Sequence, residues 1–242
     1  MKNILIPTTL QKDSIQALKT ALAQAESSQS QTITLLLLKE TPDTSSAAFW
    51  LRKMQNELTP LQEEVLEECR DMASFHPNSK LNIHQQFSIS GPLLRNFVEA
   101  REIGLIILPD SFRKSQLEIN RYCLKLLKNS NVPILQLASE FEEHQFSKAL
   151  YIENSRSNVQ AKDLPRMIGG HFSFRIISQA KVFDEQNHEE MTPLLYDAIY
   201  KNGIDLLIET RKPQKIGLSK KNTPSLNENF GLPVLSVCEP VY

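Results

Sequence analysis

Apolar positions in the first half of the chain follow two periods in turn. Residues 2–7 (KNILIP) and 32–38 (TITLLLL) are short apolar runs, and the second is continuous enough to favour a strand buried on both faces, as in a parallel sheet. Between them, Ile15, Leu18 and Leu22 recur at intervals of three and four residues, which is the spacing of one buried helix stripe. The pattern predicts alternating strands and helices, with helices on both sides of the sheet.

The alternation continues to about residue 138. A helical stripe covers residues 46–58, and the residues Thr-Pro-Leu-Gln at 59–62 then have the form of a capping box with proline at the first helical position. This region therefore forms either two helices in tandem or one helix kinked at Pro60. The other elements predicted in this half are strands at 81–89, 105–108 and 132–137, a helix that opens at Gly91 and Pro92, and a helix at 117–128. The first half thus contains five strands and at least four helices.

The second half repeats part of this pattern. Residues 91–108 (GPLLRNFVEAREIGLIIL) align without a gap with residues 192–209 (TPLLYDAIYKNGIDLLIE), including the Pro-Leu-Leu start and the strand that follows the helix. Two shorter blocks match in the same order: 2–7 with 148–153, and 132–137 with 232–237. The chain therefore reads as two copies of one α/β unit, joined across a charged stretch, and the second copy lacks a counterpart to residues 41–80.

The second copy departs from the first once more, at residues 210–231. The first copy has the 117–128 helix at this point, whereas the second reads TRKPQKIGLSKKNTPSLNENFG. Pro213, Gly217 and Pro224, together with the lack of an apolar stripe, argue against a long helix. We expect a basic surface loop there, with lysine and arginine side chains in solvent.

Composition narrows the class of protein. The 242 residues are 40% hydrophobic and 23% charged, and a net charge of −1 gives no bias towards nucleic acid or an anionic membrane. No apolar run approaches the length of a membrane span, and the N-terminal residues lack the apolar core of a signal peptide, so we expect a cytoplasmic protein. Cys69, Cys123 and Cys238 are far apart and suit reduced, buried thiols, and the scattered histidines give no metal-site spacing.

Three blocks of sequence, in this order, resemble the universal stress protein family in its tandem two-domain form. They are ILIP followed by a helix containing SIQAL, the Gly-Pro helix start that runs into IGLII, and a last helix that leads to NVPIL. The resemblance implies two doubly wound α/β domains, at residues 1–139 and 147–242, with parallel sheets of five strands in the first and five or four in the second. It also implies that strands 132–137 and 232–237 pair inside the chain as an intramolecular pseudo-dimer. A homodimer of whole chains remains open.

The same resemblance locates a candidate nucleotide site, and the chain departs from the family pattern there. Nucleotide-binding members carry an aspartate after the first strand, a Gly-x-x-Gly turn after the fourth and a later Gly-Ser for the phosphates. These positions fall here on Thr9, on Pro109 and Phe112, and on Asn120 with Arg121, and Arg113 alone keeps a typical residue. The positions that match the family's site are Thr9, Pro109, Asp110, Ser111, Arg113, Lys114 and Arg121.

These substitutions predict that no ordinary ATP cradle forms. Glycines in such a turn permit positive φ and bring bare main chain to the phosphate, whereas Pro109 removes a backbone donor and Phe112 adds bulk where the phosphate would lie. We therefore expect no resident cofactor and a non-enzymatic stress-response protein that acts through an unidentified protein partner or small ligand. The alternative is an adenine-nucleotide sensor in which Arg113, Lys114 and Arg121 replace the glycine loop with side-chain hydrogen bonds. If that alternative is wrong, Arg113, Lys114 and Arg121 are ordinary solvated residues of a turn and a helix.

Catalysis has little support in the sequence. Phosphoryl or nucleotidyl transfer needs a phosphate loop and acidic ligands for Mg²⁺, and acyl transfer on an α/β fold needs a nucleophile on a sharp turn beside a base. Neither pattern is present. Asp110 beside Ser111 is the nearest approach to a reactive pair, and an aspartate in that position more simply supports a turn.

Overall fold

The computed structural model describes residues 3–24, 30–40, 58–139, 145–154, 159–168, 172, 174–182, 188–212 and 226–240. Within them, nine strands form one sheet whose neighbours run in the order β3-β2-β1-β4-β5-β9-β8-β6-β7. Every adjacent pair is parallel except β5 and β9, which are antiparallel. The α/β class predicted from the sequence is confirmed.

The elements of the first half follow the predicted alternation. They are β1 (Asn3–Thr8), α1 (Asp13–Gln24), β2 (Gln31–Leu38), α2 (Pro60–Ser74), β3 (Ser79–Gln86), α3 (Gly91–Ala100), β4 (Ile103–Leu108), a short helical turn α4 (Asp110–Arg113), α5 (Glu118–Lys128) and β5 (Ile134–Gln136).

The second half contains fewer elements in its described residues. They are β6 (Lys148–Asn154), a 3₁₀ turn (Ala161–Asp163), α6 (Leu164–Ile168), β7 (Arg175–Val182), α7 (His188–Asn202), β8 (Leu206–Arg211), α8 (Leu226–Phe230) and β9 (Val234–Cys238).

Local sequence explains where α2 and α3 begin. The Thr59 side chain accepts the Gln62 backbone N–H at 3.3 Å, and the Gln62 side chain accepts the Thr59 N–H at 3.0 Å, which confirms the capping box. Ser90 caps α3 in the same way by accepting the N–H of Leu93. The helix predicted at residues 46–58 lies outside the described residues, apart from Leu58.

The antiparallel contact between β5 and β9, which we call the seam, joins the two halves of the sheet. On one face, which we call the shared-core face, Leu135 and Leu235 pair directly across the seam and belong to a single apolar cluster. That cluster runs from α1 and α2 in the first half to α6 in the second. On the opposite, split-core face, α3 and α5 cover one cluster and α7 and α8 cover another.

Parts of the second half differ from the prediction. Residues 213–225 of the predicted basic loop lie outside the described residues, but residues 226–230, also expected in the loop, form α8. The reason is packing: Leu226 and Phe230 contact the apolar cluster of the second half, and Asn227 is buried.

The three cysteines are buried and free, as predicted. Burial raises the pKa of Cys69 to about 11 and that of Cys123 to about 12. Both thiols therefore stay protonated at neutral pH and behave as small apolar side chains.

Among the helices that the structure describes, none combines the length and the apolar character needed to cross a bilayer.

Candidate functional site

The candidate site lies where the strand order reverses. Open parallel α/β sheets bind ligands beyond the carboxyl ends of the strands at such a point. Here β1 and β4 are neighbours, and β2 and β5 lie to either side of them. The loop after β1, from Thr9 to Asp13, and the turn after β4, from Pro109 to Lys114, therefore bound one crevice, and they contain all the predicted site positions except Arg121.

Side chains of the protein itself connect the two walls of this crevice. The Ser111 backbone N–H donates to Asp13 Oδ2 at 2.6 Å, and the Ser111 hydroxyl donates to Asp13 Oδ1 at 2.8 Å. The hydroxyl oxygens of Thr9 and Ser111 are 2.9 Å apart. The carboxylate of Asp13 thus takes the N–H of Ser111, the second backbone donor after Pro109, which itself has none.

The loop after β1 is compact and carries a strained residue. Thr8 Oγ1 accepts the N–H of Leu10 at 2.8 Å and lies 2.6 Å from the Ser14 hydroxyl. Leu10 has a φ of 54°, a left-handed backbone that residues with a Cβ rarely adopt, and its side chain is buried in the shared core. This geometry turns the chain sharply enough to bring Asp13 to Ser111.

Asp110 is held by cations and a hydroxyl. Its Oδ1 lies 2.5 Å from Arg113 Nη2, and its Oδ2 lies 2.8 Å from Lys114 Nζ and 2.9 Å from the Ser139 hydroxyl. Burial alone would raise the pKa of Asp110, but the hydrogen bonds from Lys114 and Ser139 and the charge of Arg113 outweigh burial and lower it. The carboxylate is therefore ionised and fully engaged at neutral pH.

The three basic candidates lie in different environments. The side chain of Arg113 is only 8% exposed, and it donates to Asp110 and, at 2.7 Å, to Asn227 Oδ1 in the second half. Lys114 and Arg121 are more than half exposed, and Arg121 lies 3.8 Å from Glu118. The expectation of solvated turn side chains is therefore correct for Lys114 and Arg121 and wrong for Arg113.

Phe112 does not lie where the sequence suggested. Its side chain is buried in the split-core cluster with residues of α3 and α5, so its bulk is not in the crevice. The reason is that residues 110–113 form a helical turn after Pro109, and such a turn directs one side chain into the core while its neighbours face away. Ser111 and Asp13 instead connect the two walls of the crevice.

The corresponding region of the second half, the end of β8, also makes contacts with the rest of the protein. Arg211 donates to the backbone oxygens of Lys128 at 3.1 Å, Ser130 at 2.9 Å and Val132 at 2.6 Å, and also to that of Ser236. Glu209 lies on the same face of β8. Burial raises the pKa of Glu209, and a hydrogen bond with Ser236 and the charge of Arg211 only partly offset this.

Sequence reasoning missed Asp13, Asn227, Glu209 and Arg211. Asp13 is in the first turn of a helix, where an aspartate is ordinary, and only the strand order brings it to Ser111, 98 residues away. Asn227 lies in the segment that the sequence predicts to be a basic loop. No group of three or more metal-ligating side chains occurs in the described part of the chain.

Comparisons with known proteins agree on the fold. No protein-family model matches the chain, and no curated protein matches it. A universal stress protein from Archaeoglobus fulgidus has a solved structure that matches 98% of this chain and 99% of its own with a TM-score of 0.54 at 12% identity. A functionally unknown protein from Pseudomonas aeruginosa matches 98% of this chain and 92% of its own with a TM-score of 0.51 at 14% identity. Over nearly its whole length, this chain therefore has the α/β fold of these two structures.

Proposed function

We propose that this protein is a non-enzymatic stress-response protein of the universal stress type whose nucleotide site has degraded. It acts through contacts with a protein partner or through an unidentified small ligand, in the cytoplasm and without a resident cofactor. The fold likeness to a universal stress protein supports the type, and the sequence blocks that resemble the family point the same way.

The proposal includes a tandem arrangement, with domains at residues 1–139 and 147–242 that form a pseudo-dimer inside one chain. Two observations support it. The strand order β2-β1-β4-β5 on one side of the seam has a counterpart in β7-β6-β8-β9 on the other, and the two sets meet through an antiparallel pair of strands. Such a meeting is what a two-fold axis at the last strands would produce, and it covers both strand edges.

The contact between Ser111 and Asp13 carries the proposal of a degraded site. A phosphate in this crevice would need backbone N–H groups, but Pro109 has none and the N–H of Ser111 is directed at a carboxylate 2.6 Å away. A bound phosphate would also lie close to that carboxylate, and like charges at short range repel each other. Binding would thus cost both a hydrogen bond and an electrostatic penalty.

The same contact argues against catalysis. A serine beside a carboxylate resembles the start of a nucleophile and base arrangement. Here, however, Asp13 accepts two hydrogen bonds from Ser111, including one from the backbone, so both of its carboxylate oxygens hold the turn that contains Ser111. The pair is suited to fixing the two loops together.

Thermal unfolding with nucleotide tests the proposal. At about 100-fold excess over its dissociation constant, a ligand stabilises the native state by roughly 2.7 kcal/mol, which moves the melting temperature by several degrees. We expect no shift in melting temperature with ATP at about 5 mM, with or without Mg²⁺. This is the order of concentration at which a weak site would still respond. The proposal would be contradicted if ATP and ADP both raised the melting temperature by several degrees and sulfate did not.

The alternative, an adenine-nucleotide sensor, is favoured by one observation, since the side chains of Lys114 and Arg121 are exposed and basic. It predicts that Arg121→Gln and Lys114→Gln each weaken ATP binding. Unchanged binding in both variants, or no binding in the unmodified protein, excludes it.

A further inference from the structure

The turn that follows β4 and the last residue of β8 each provide an arginine that reaches across the seam. Arg113 belongs to the first half, and its Nη2 atom donates at 2.7 Å to Asn227 Oδ1 in α8 of the second half. Arg211 belongs to the second half and donates to the carbonyl oxygens of Lys128, Ser130 and Val132 in the first. Each half therefore supplies a guanidinium to acceptors of the other.

The contacts of Arg113 continue on both sides of the seam. It also donates to the carbonyl oxygen of Leu137 at 3.3 Å, immediately after β5. Asn227, which is 4% exposed, completes the connection by donating to the carbonyl oxygens of Gln136 at 3.4 Å and Leu232 at 2.8 Å. The amide oxygen of Asn227 therefore accepts from Arg113. Its amide nitrogen donates both to β5 and to the segment that leads into β9.

The contacts of Arg211 meet a specific need of α5. The last carbonyl groups of a helix have no partners within it, and a cation at that end is favoured by the helix dipole. α5 ends at Lys128, and the carbonyl oxygens of Lys128, Ser130 and Val132 belong to its last residue and to the turn that leads into β5. Arg211 thus donates to carbonyl groups at the C-terminal end of α5, although it is distant from that helix in the sequence.

Strand alternation places both sets of contacts on one side of the sheet. Leu135 and Leu235 face the shared core, so Gln136 and Ser236, one position along each strand, face the opposite side. On that split-core face the apolar clusters of the two halves are separate. The polar contacts fill the place between them, where the shared-core face has leucines.

We propose that Arg113 and Arg211 form a reciprocal clasp that fixes how the two halves of the sheet dock on the split-core face. The turn after β4 would then hold the seam closed in place of holding an anion. The inference is independent of the proposed function, because it concerns contacts that exist in the protein alone. It assigns a positioning role to Arg113, Asn227 and Arg211.

Hydrogen–deuterium exchange of the full chain tests the clasp. We expect Arg113→Gln and Arg211→Gln each to speed amide exchange in β5 and β9 by at least about tenfold, since local opening of a docked segment governs its exchange. Exchange in β1 and β2 should stay unchanged. The matched control is Arg121→Gln, which removes an exposed guanidinium from α5 and should leave every peptide unaffected.

Three outcomes would overturn the proposal. They are unchanged exchange in β5 and β9, an increase confined to α4 or α8, and an equal increase in β1 and β2, which would indicate general loss of stability. If Arg113→Gln does not fold, Arg113→Lys serves in its place, because it keeps the charge with fewer donors. It should speed amide exchange in β5 and β9 by less than the roughly tenfold expected for Arg113→Gln. Because each side chain also makes contacts of its own, the double variant Arg113→Gln with Asn227→Ala should exchange faster than either single variant but by less than the two effects combined, and fully additive effects would contradict a direct pair.

Discussion

The two faces of the seam solve the same docking problem with different chemistry. On the shared-core face, Leu135 and Leu235 are fully buried in one cluster that includes residues of both halves. On the split-core face, two arginines and an asparagine make directional contacts across the same pair of strands. Apolar burial is strong but non-directional, whereas hydrogen bonds to guanidinium groups fix distance and angle. The comparison assigns most of the stability to one face and most of the geometric precision to the other.

The largest effect is expected on the shared-core face. Leu235→Ala removes a fully buried side chain and leaves a cavity, and such substitutions cost about 2 to 5 kcal/mol of unfolding free energy. Urea unfolding measures this directly. Leu194→Ala, at an exposed position in α7, is the matched control and should change the free energy by less than about 0.5 kcal/mol. A cost below about 1 kcal/mol for Leu235→Ala would mean that the shared core does not hold the halves together.

The next effect is expected on the split-core face. Arg211→Ala leaves several carbonyl oxygens at the end of α5 without their donor, and we expect a loss of roughly 3 kcal/mol, the scale for breaking a buried charged contact. The same urea experiment applies, with Arg121→Ala as the exposed control. A loss as small as that of the control would show that water replaces the guanidinium without cost.

Asp110 and Glu209 should respond to pH in opposite directions. The folded pKa of Asp110 is lowered, so the stability it contributes is present above its ordinary pKa of about 3.9 and is lost as the pH falls through the folded value. Asp110→Asn should therefore cost roughly 1 to 2 kcal/mol at pH 7 and progressively less in acid. An equal cost at pH 7 and pH 3 would contradict the assignment.

The pKa of Glu209 in the folded protein is raised, so the pH dependence of its contribution to stability is opposite to that of Asp110. Its favourable contribution is complete below the ordinary carboxyl pKa of about 4.3 and is lost as the pH rises through the folded value. Glu209→Gln should therefore be more stable than the unmodified protein at pH 8, with the gap closing towards pH 4. Melting temperatures across this range test it, and a variant that is less stable at pH 8 would mean that the negative charge is needed by Arg211.

The smallest effect is expected for Lys114. Its ammonium group lies 2.8 Å from Asp110, but the side chain is more than half exposed, and exposed ion pairs contribute about 0 to 1 kcal/mol. Lys114→Ala should lower the melting temperature by no more than a few degrees, and the loss should shrink in 1 M salt. A large, salt-independent loss would place Lys114 with Arg113 rather than in solvent.

Sequence reasoning recovered the elements better than it recovered the site. The capping box at Thr59, the helix ending at Lys128 and the alternation of strands and helices depend on neighbouring residues, and all of these predictions are confirmed. The site depends on distant pairs. Asp13 reaches Ser111 only because β1 and β4 are adjacent, and Arg113 reaches Asn227 only because β5 meets the second half of the sheet.

The case of Phe112 shows why a motif position does not determine a contact. Aligned to the family's turn, it would have filled the phosphate position. Residues 110–113 form a helical turn instead, and that turn buries Phe112 in the core and brings Ser111 to Asp13. The proposal of a crevice without a phosphate cradle therefore rests on the carboxylate of Asp13 and not on an aromatic ring.

Native mass spectrometry of protein purified without added nucleotide tests the central claim most directly, because it detects a small molecule that stays bound. A chain whose crevice is occupied by its own Asp13 should appear at 27.6 kDa with no nucleotide adduct, and millimolar ATP added before measurement should leave that spectrum unchanged. A stoichiometric adduct with the mass of an adenine nucleotide, lost on mild activation, would contradict the account.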